Sequence, residues 1–230
     1  MYNNYHYTMT GSMTQFLYKV YAWMAGALLL TAGTAYYVAS SPAIIYKLYS
    51  TPFLLYGLFF AQIGLVIYLT GFLTRISYTS AVISFLGYAF LNGLTLSSIF
   101  LLYTFTSIAM AFLISAGMFA VMALYGYYTH ADLTSIGNIA KMGLFGIIIA
   151  TVVNMFFHSS NVEYIISLFG VAVFTILVAY DSQKIKQLAY MLLGQGETAA
   201  KVAIVGALSL YLDFINLFLF ILRLLGRRRD

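Results

Sequence analysis

Between Arg75 and Asp132 the chain runs for 56 residues without one Asp, Glu, Lys or Arg. A helix needs ~20 apolar residues, rising 1.5 Å each, to cross the ~30 Å hydrocarbon core of a bilayer. The stretch therefore predicts two crossing helices joined by a tight, uncharged turn. The rest of the chain agrees: 63% of residues are hydrophobic and 7% charged, with a mean hydropathy of +0.93. A soluble domain carries about 25% charge and 45–50% apolar residues. Composition thus excludes a soluble enzyme, a nucleic-acid binder and a disordered protein. Long unbroken apolar runs argue against a barrel, whose strands alternate. With no cysteine, disulfides, thiolate metal sites and a cysteine nucleophile are excluded.

The fold class expected is all-α, a polytopic membrane helix bundle. Residues 1–19 read as a short polar tail, 20–226 as one transmembrane domain of about seven helices, and 227–230 as a basic C-terminal tail. No basic n-region precedes a short apolar run, so a cleaved signal peptide is not expected. The spans fall at about Val20–Ser40, Pro52–Thr74, Tyr78–Tyr103, Thr106–Tyr128, Ile139–Phe157, Val162–Tyr180 and Val202–Leu222. The turn between the third and fourth is placed near Thr104-Phe105. Asp132 and the residues after it are expected to cap or kink the fifth, and Gly194-Gln-Gly196-Glu197 is the strongest loop signal in the C-terminal half.

The net charge of +5 poses a topology question rather than suggesting nucleic acid. If all seven stretches cross, one face holds Lys19, Arg75, Lys141, Lys184, Lys186 and Lys201, and the other Lys47, Arg223, Arg227, Arg228 and Arg229. That is six against five. If the last stretch enters and returns, the count becomes ten against one, which the positive-inside rule prefers. Against a hairpin, Val202–Leu222 lacks a central Gly or Pro, so a buried seventh span is the favoured reading.

Asp213 lies in the middle of that stretch. A carboxylate at the centre of a span costs at least ~2.5–3.5 kcal/mol on insertion scales, and such residues are functional by default. Gly206, Ser209, Asp213 and Asn216 follow at helical spacing on one face, so Ser209 and Asn216 would line the surroundings of Asp213. Asp181 is the natural partner. If the sixth helix continues to Leu193 and the seventh begins at Lys201, both carboxylates stand ~18 Å from the turn, at one depth. Two close carboxylates in a low dielectric cannot both ionise cheaply, so the pair would titrate as a unit and could serve as a proton-sensitive gate. The structural alternative for Asp181 is a solvated helix-end carboxylate beside Lys184. Arg75 is the candidate latch for the pair, against an ordinary interfacial anchor. Asn92-Gly93 reads as helix-packing glue and Asn154 as a buried amide. His6, His130 and His158 are too scattered for a metal site. Asp181 and Asp213 alone fall short of a tight calcium cage, which wants 6–8 oxygens, and leave room only for weak or transient calcium. No cofactor is expected.

Several motifs resemble the Bax inhibitor-1 family: Gly206-Ala-Leu-Ser-Leu-Tyr-Leu-Asp213-Phe-Ile-Asn216-Leu-Phe, Ala179-Tyr-Asp181-Ser-Gln-Lys184, Leu91-Asn-Gly-Leu-Thr-Leu-Ser-Ser98 and Leu124-Tyr-Gly-Tyr. The likeness runs from about Tyr18 to Arg227, and the short tail and loops resemble the bacterial branch. The resemblance implies six helices around a central seventh, and a pH-dependent calcium leak gated by an aspartate dyad. Asp181 and Asp213 stand in the matching motifs. An arginine latch is also implied, for which Arg75 is the candidate although no sharp motif fixes it. Location in a bacterial inner membrane follows, with the bilayer, calcium ions and protons as partners.

A second function is a non-transporting regulator that binds a membrane protease or a cell-death or stress factor. The third is an intramembrane aspartyl protease. Tyr180-Asp181 resembles one motif of that class, but Leu210-Tyr211-Leu212-Asp213 lacks the Gly-x-Gly its partner requires, so no enzyme is expected.

Overall fold

In a computed structural model of the chain, residues 2–192 and 194–227 are described, with side chains from residue 13 onward except Pro52 and Leu193. Among the described residues there is no strand. Seven long helices dominate: α1 (Tyr2–Ala39), α3 (Pro52–Gly71), α4 (Tyr78–Leu96), α6 (Phe105–Tyr128), α7 (Thr134–Phe157), α8 (Ser160–Met191) and α9 (Gly196–Leu225). Two short helices interrupt them, α2 (Pro42–Tyr49) and α5 (Ile99–Leu102). The all-α class expected from the sequence holds, and seven segments are long and apolar enough to cross a membrane.

The helix boundaries have local causes. Pro42 and Pro52 each open a helix, where their missing N–H costs nothing. The Ser77 and Thr104 hydroxyls accept from the amides of Ser80 and Ser107 and so cap α4 and α6. Thr104 thus ends the tight turn where the sequence placed it. The third span is broken near its end. Ser97 donates to the Leu94 carbonyl and Ser98 to that of Thr95, a local alternative to helix hydrogen bonding that serines favour. At the end of α7, His158 takes the left-handed conformation at φ 50°. The Asn154 side chain holds that turn, accepting from the Ser159 amide at 3.0 Å and donating to the Ser159 carbonyl at 3.2 Å.

By contact density the chain divides into two units. One comprises residues up to Leu102 together with Leu188–Tyr211; the other comprises Tyr103–Gln187 and the chain from Leu212 onward. In the first, α1 packs chiefly on α4. A Cβ on Gly93 would stand 2.6 Å from Cβ of Thr34 and 2.8 Å from the Thr31 carbonyl oxygen. Only glycine admits that approach, as small residues do in membrane helix pairs. In the second, α6 meets α8 at Gly126, where a Cβ would fall on the Ala179 carbonyl oxygen. The ring of Tyr180 lies where a Cβ of Gly137 in α7 would project, and the ring of Phe220 where one of Gly170 would.

The longer helices revise one expectation and come close to a condition set for the aspartate pair, that the sixth helix run on to Leu193. α1 extends back to Tyr2, through the segment read as a tail, and Met13 and Phe16 are buried. α8 continues eleven residues past Tyr180. Lys184 is exposed, while Lys186 reaches back to donate to the Tyr127 carbonyl at 2.6 Å. The re-entrant reading of the last stretch is overturned, because α9 is one unbroken helix of 30 residues. It is also the most enclosed: 72% of its apolar window is buried, against 6% for those of α3 and α7. Enclosure explains how it carries a carboxylate without exposing it to lipid. Of the expected basic tail, Arg227 is described; Arg228, Arg229 and Asp230 lie outside the described residues.

If all seven candidate segments cross, the two ends of the sequence lie on opposite sides of the bilayer. A reporter fused after Asp230 is expected to read the side opposite to one fused before Met1; equal readings would remove one crossing.

Candidate functional site

Asp213 sits in the second half of α9 at 5% exposure. Its Oδ2 is fully enclosed and has no hydrogen-bond partner. An unpartnered polar atom in such a place costs several kcal/mol relative to water. At the next position on α9, Phe214 meets Phe112 and Phe119 of α6 edge-on, with centroids 5.4 and 5.7 Å apart. Asp181, on α8, is half-buried and lies within electrostatic range of Asp213. Lys184, one turn further along α8, and Lys141 of α7 are the cations that act on Asp181. Next to Asp181, the Ser182 hydroxyl is a second buried group without a partner.

The neighbours of Asp181 are more constrained. Lys141 donates to the Tyr180 hydroxyl at 3.0 Å and lies 4.2 Å from the centre of its ring. Gln183 clamps the turn before α7, accepting from the Leu133 amide at 2.9 Å and donating to the Ala131 carbonyl at 2.7 Å. This stretch of α8 therefore has its rotation fixed by α7 and its preceding turn. In that turn Asp132, one position before the N-cap residue Leu133, accepts from the Thr134 amide at the start of α7 at 2.9 Å. The Thr134 side chain first, and then its backbone N–H, hold the Asp132 carboxyl below its usual range. A lowered folded value contributes stability that is present above the unfolded value and lost as pH falls through the folded one. The protection of the Thr134 amide from exchange, relative to its intrinsic rate at each pH, is accordingly expected to fall as pH drops through the folded value. Asp132→Ala should lower that protection above the carboxylate range and differ little from wild type below it, read as hydrogen-exchange protection factors.

The other residues singled out from the sequence fall as follows. Asn216 donates to the Leu212 carbonyl of its own helix at 2.8 Å, so its amide is spent on α9. Ser209 is half-buried and belongs to the first unit. Arg75 lies beyond the end of α3, exposed in the turn before α4, where its amide donates to the Phe72 carbonyl. Among the described residues its side chain forms no ion pair. No group of three or more His, Asp or Glu residues that could hold a metal occurs among the described residues.

One cluster was not foreseen. In the first unit, Tyr211 of α9 is fully buried. Its hydroxyl lies 2.6 Å from the Thr31 hydroxyl of α1 and accepts from the Asn92 amide of α4 at 2.9 Å. Thr31 donates its one proton to the Ala89 carbonyl at 2.8 Å, so the Tyr211 proton must point at Thr31. The order is fixed: Asn92 to Tyr211 to Thr31 to Ala89. Phe85 and Tyr88 pack edge-on against the Tyr211 ring. The signal available in the sequence was a tyrosine two residues before Asp213, facing away from the Ser209–Asn216 stripe.

The sequence profile of a family described as "Inhibitor of apoptosis-promoting Bax1" matches residues 13–230. The chain is 44% identical over 215 residues to the inner membrane protein YbhL of Escherichia coli K12, covering 93% of this chain and 92% of that one. It is 46% identical over 216 residues to an "uncharacterized protein" of Borreliella burgdorferi, covering 94% and 93%. It is 36% identical over 217 residues to an "uncharacterized membrane protein" of Streptococcus pyogenes serotype M3, covering 94% and 93%.

Proposed function

Since the chain belongs to the family of the inhibitor of apoptosis-promoting Bax1, and is a multi-pass membrane protein, we propose that it is a pH-sensitive calcium leak of the bacterial inner membrane, gated by Asp181 and Asp213. The location follows the name of the E. coli relative. One observation carries the gating: Asp213 has a fully enclosed oxygen with no partner and lies in the field of Asp181. A carboxyl pair held this way takes up and releases protons as a unit. The charge it presents to a passing cation then depends on pH. Calcium is the cargo. Two carboxylates give a passing divalent ion a weak, transient stop rather than a cage. Lys141 and Lys184 set the positive side of this balance around Asp181. Arg75, exposed and without an ion pair among the described residues, is the candidate latch that would bind the dyad in one gate state.

The test is calcium flux into proteoliposomes holding the purified chain, measured across pH 5–8. Flux should change with pH, and Asp213→Asn and Asp181→Asn should each flatten that dependence. An unaltered response in both variants overturns the dyad. Absence of any flux above protein-free vesicles overturns the channel in favour of a regulator without transport.

A further inference from the structure

At the opposite ends of the helices in the second unit lies a cavity of about 430 Å³. It is formed where α7 ends, where α8 begins and where α9 makes its last turn. Its charged and polar lining includes Glu163, Arg223, His158, Thr151 and Ser160. Glu163 and Arg223 share the cavity yet form no ion pair with each other. The guanidinium lies 5.2 Å from the centre of the Phe220 ring, on its face. The Glu163 carboxylate is half-buried in the first turn of α8. Helix ends account for a negative charge at the start of α8 and a positive one at the end of α9. They do not account for two opposite charges facing one cavity and leaving each other unpaired. Asn154, which also lines it, spends its amide on the Ser159 turn.

The cavity sits where the crossing segments end, at Phe157, Ser160 and Leu225. The adjoining surface of α7 is strongly apolar and exposed: Met155 at 67%, Phe156 at 81% and Phe157 at 78%. A ligand matched to this place has one anionic and one cationic group a few ångströms apart, joined to apolar chains. The geometry points to a bound zwitterionic phospholipid. Its phosphate pairs with Arg223, its primary ammonium with Glu163, and its acyl chains lie along the exposed end of α7. Arg223 offers a planar fork of donors that suits phosphate oxygens. Glu163 accepts from an ammonium N–H, which phosphatidylethanolamine has and phosphatidylcholine lacks. The fit is therefore to phosphatidylethanolamine over both phosphatidylcholine and anionic phosphatidylglycerol.

The test uses the full chain purified in detergent and titrated with each of the three lipids, with occupancy read by native mass spectrometry. The wild type should retain phosphatidylethanolamine roughly tenfold over the other two, the scale of one charge-assisted hydrogen bond. Glu163→Gln should abolish the preference over phosphatidylcholine, and Arg223→Gln should lower occupancy by every phospholipid. Both variants are checked for unchanged helicity, and Lys47→Gln, which is not among the residues lining the cavity, should change nothing. Equal retention of all three lipids, a preference for phosphatidylglycerol, or an unaltered preference in Glu163→Gln overturns the proposal. Displacement of the lipid by equimolar soluble glycerophosphoethanolamine would also overturn it, because the acyl chains would then contribute nothing. None of these readings involves calcium flux, so the site stands or falls apart from the leak.

Discussion

Gly126→Leu is expected to yield a chain that inserts but does not assemble. Even Gly126→Ala should be severely destabilised. The Cβ of an alanine there would fall on the Ala179 carbonyl oxygen, with the Ala179 carbonyl carbon only 2.8 Å away. The obstacle is backbone, so no rotamer change relieves it and α6 must move off α8. Overpacking a core costs about 1–3 kcal/mol when side chains can yield; here the cost should exceed that range. The loss is read as a fall in the thermal midpoint and in the monodisperse fraction in detergent. Gly117 is the control on the same helix. Nothing lies within 4 Å of its Cβ position, so Gly117→Ala should stabilise by about 0.5–1 kcal/mol, the propensity difference alone. Equal behaviour of the two alanine variants would mean that α6 and α8 do not make this close approach.

The second large effect belongs to Tyr211. Tyr211→Ala removes a fully buried aromatic ring, at a cost of about 3–5 kcal/mol. It also leaves the Asn92 amide without its acceptor. Tyr211→Phe keeps the ring against Phe85 and Tyr88 and removes only the hydroxyl. Its cost should be about 1–3 kcal/mol, that of stranding a buried donor. Because the proton order is fixed, the double variant Tyr211→Phe with Asn92→Leu should recover part of the loss, since it removes donor and acceptor together. Strict additivity in that cycle would show that the two groups do not bond.

The spans were legible because lipid demands length and apolarity, and both are written along the chain. Thr104 marked a turn and Pro52 a helix start through chemistry that acts within a turn, whereas α2, which Pro42 opens, was not foreseen. The break at Ser97-Ser98 was not legible, because serines occur in unbroken membrane helices as well. The extension of α8 past Tyr180 entered the sequence reading only as a condition, because Asp181, Lys184 and Lys186 read as the end of a span. Asp213 announced itself by charge alone. Its depth relative to Asp181 did not follow from counting. Asp181 stands ten residues before the end of α8, and Asp213 seventeen after the start of α9. The helix ends assumed from the sequence made these distances equal. An offset of seven residues is roughly 10 Å along a helix, yet Asp213 remains in the field of Asp181. Proximity here is a property of the packed unit, not of the turn. The Tyr211 cluster lay beyond reach for a similar reason: it joins residues separated by 119 and 180 positions, and no local pattern links them.

α9 has a consequence for how the protein is made. It leaves the ribosome after α1 to α8, and its first part belongs to one unit and its second part to the other. Until it arrives, Thr31 and Asn92 lack the hydroxyl they bond, and Phe112 and Phe119 lack the ring they meet. A nascent chain holding the earlier spans is thus a client in which the Asn92 amide lacks its acceptor. Ribosome stalling or premature termination before Gly196 should leave it recognisable to membrane quality control.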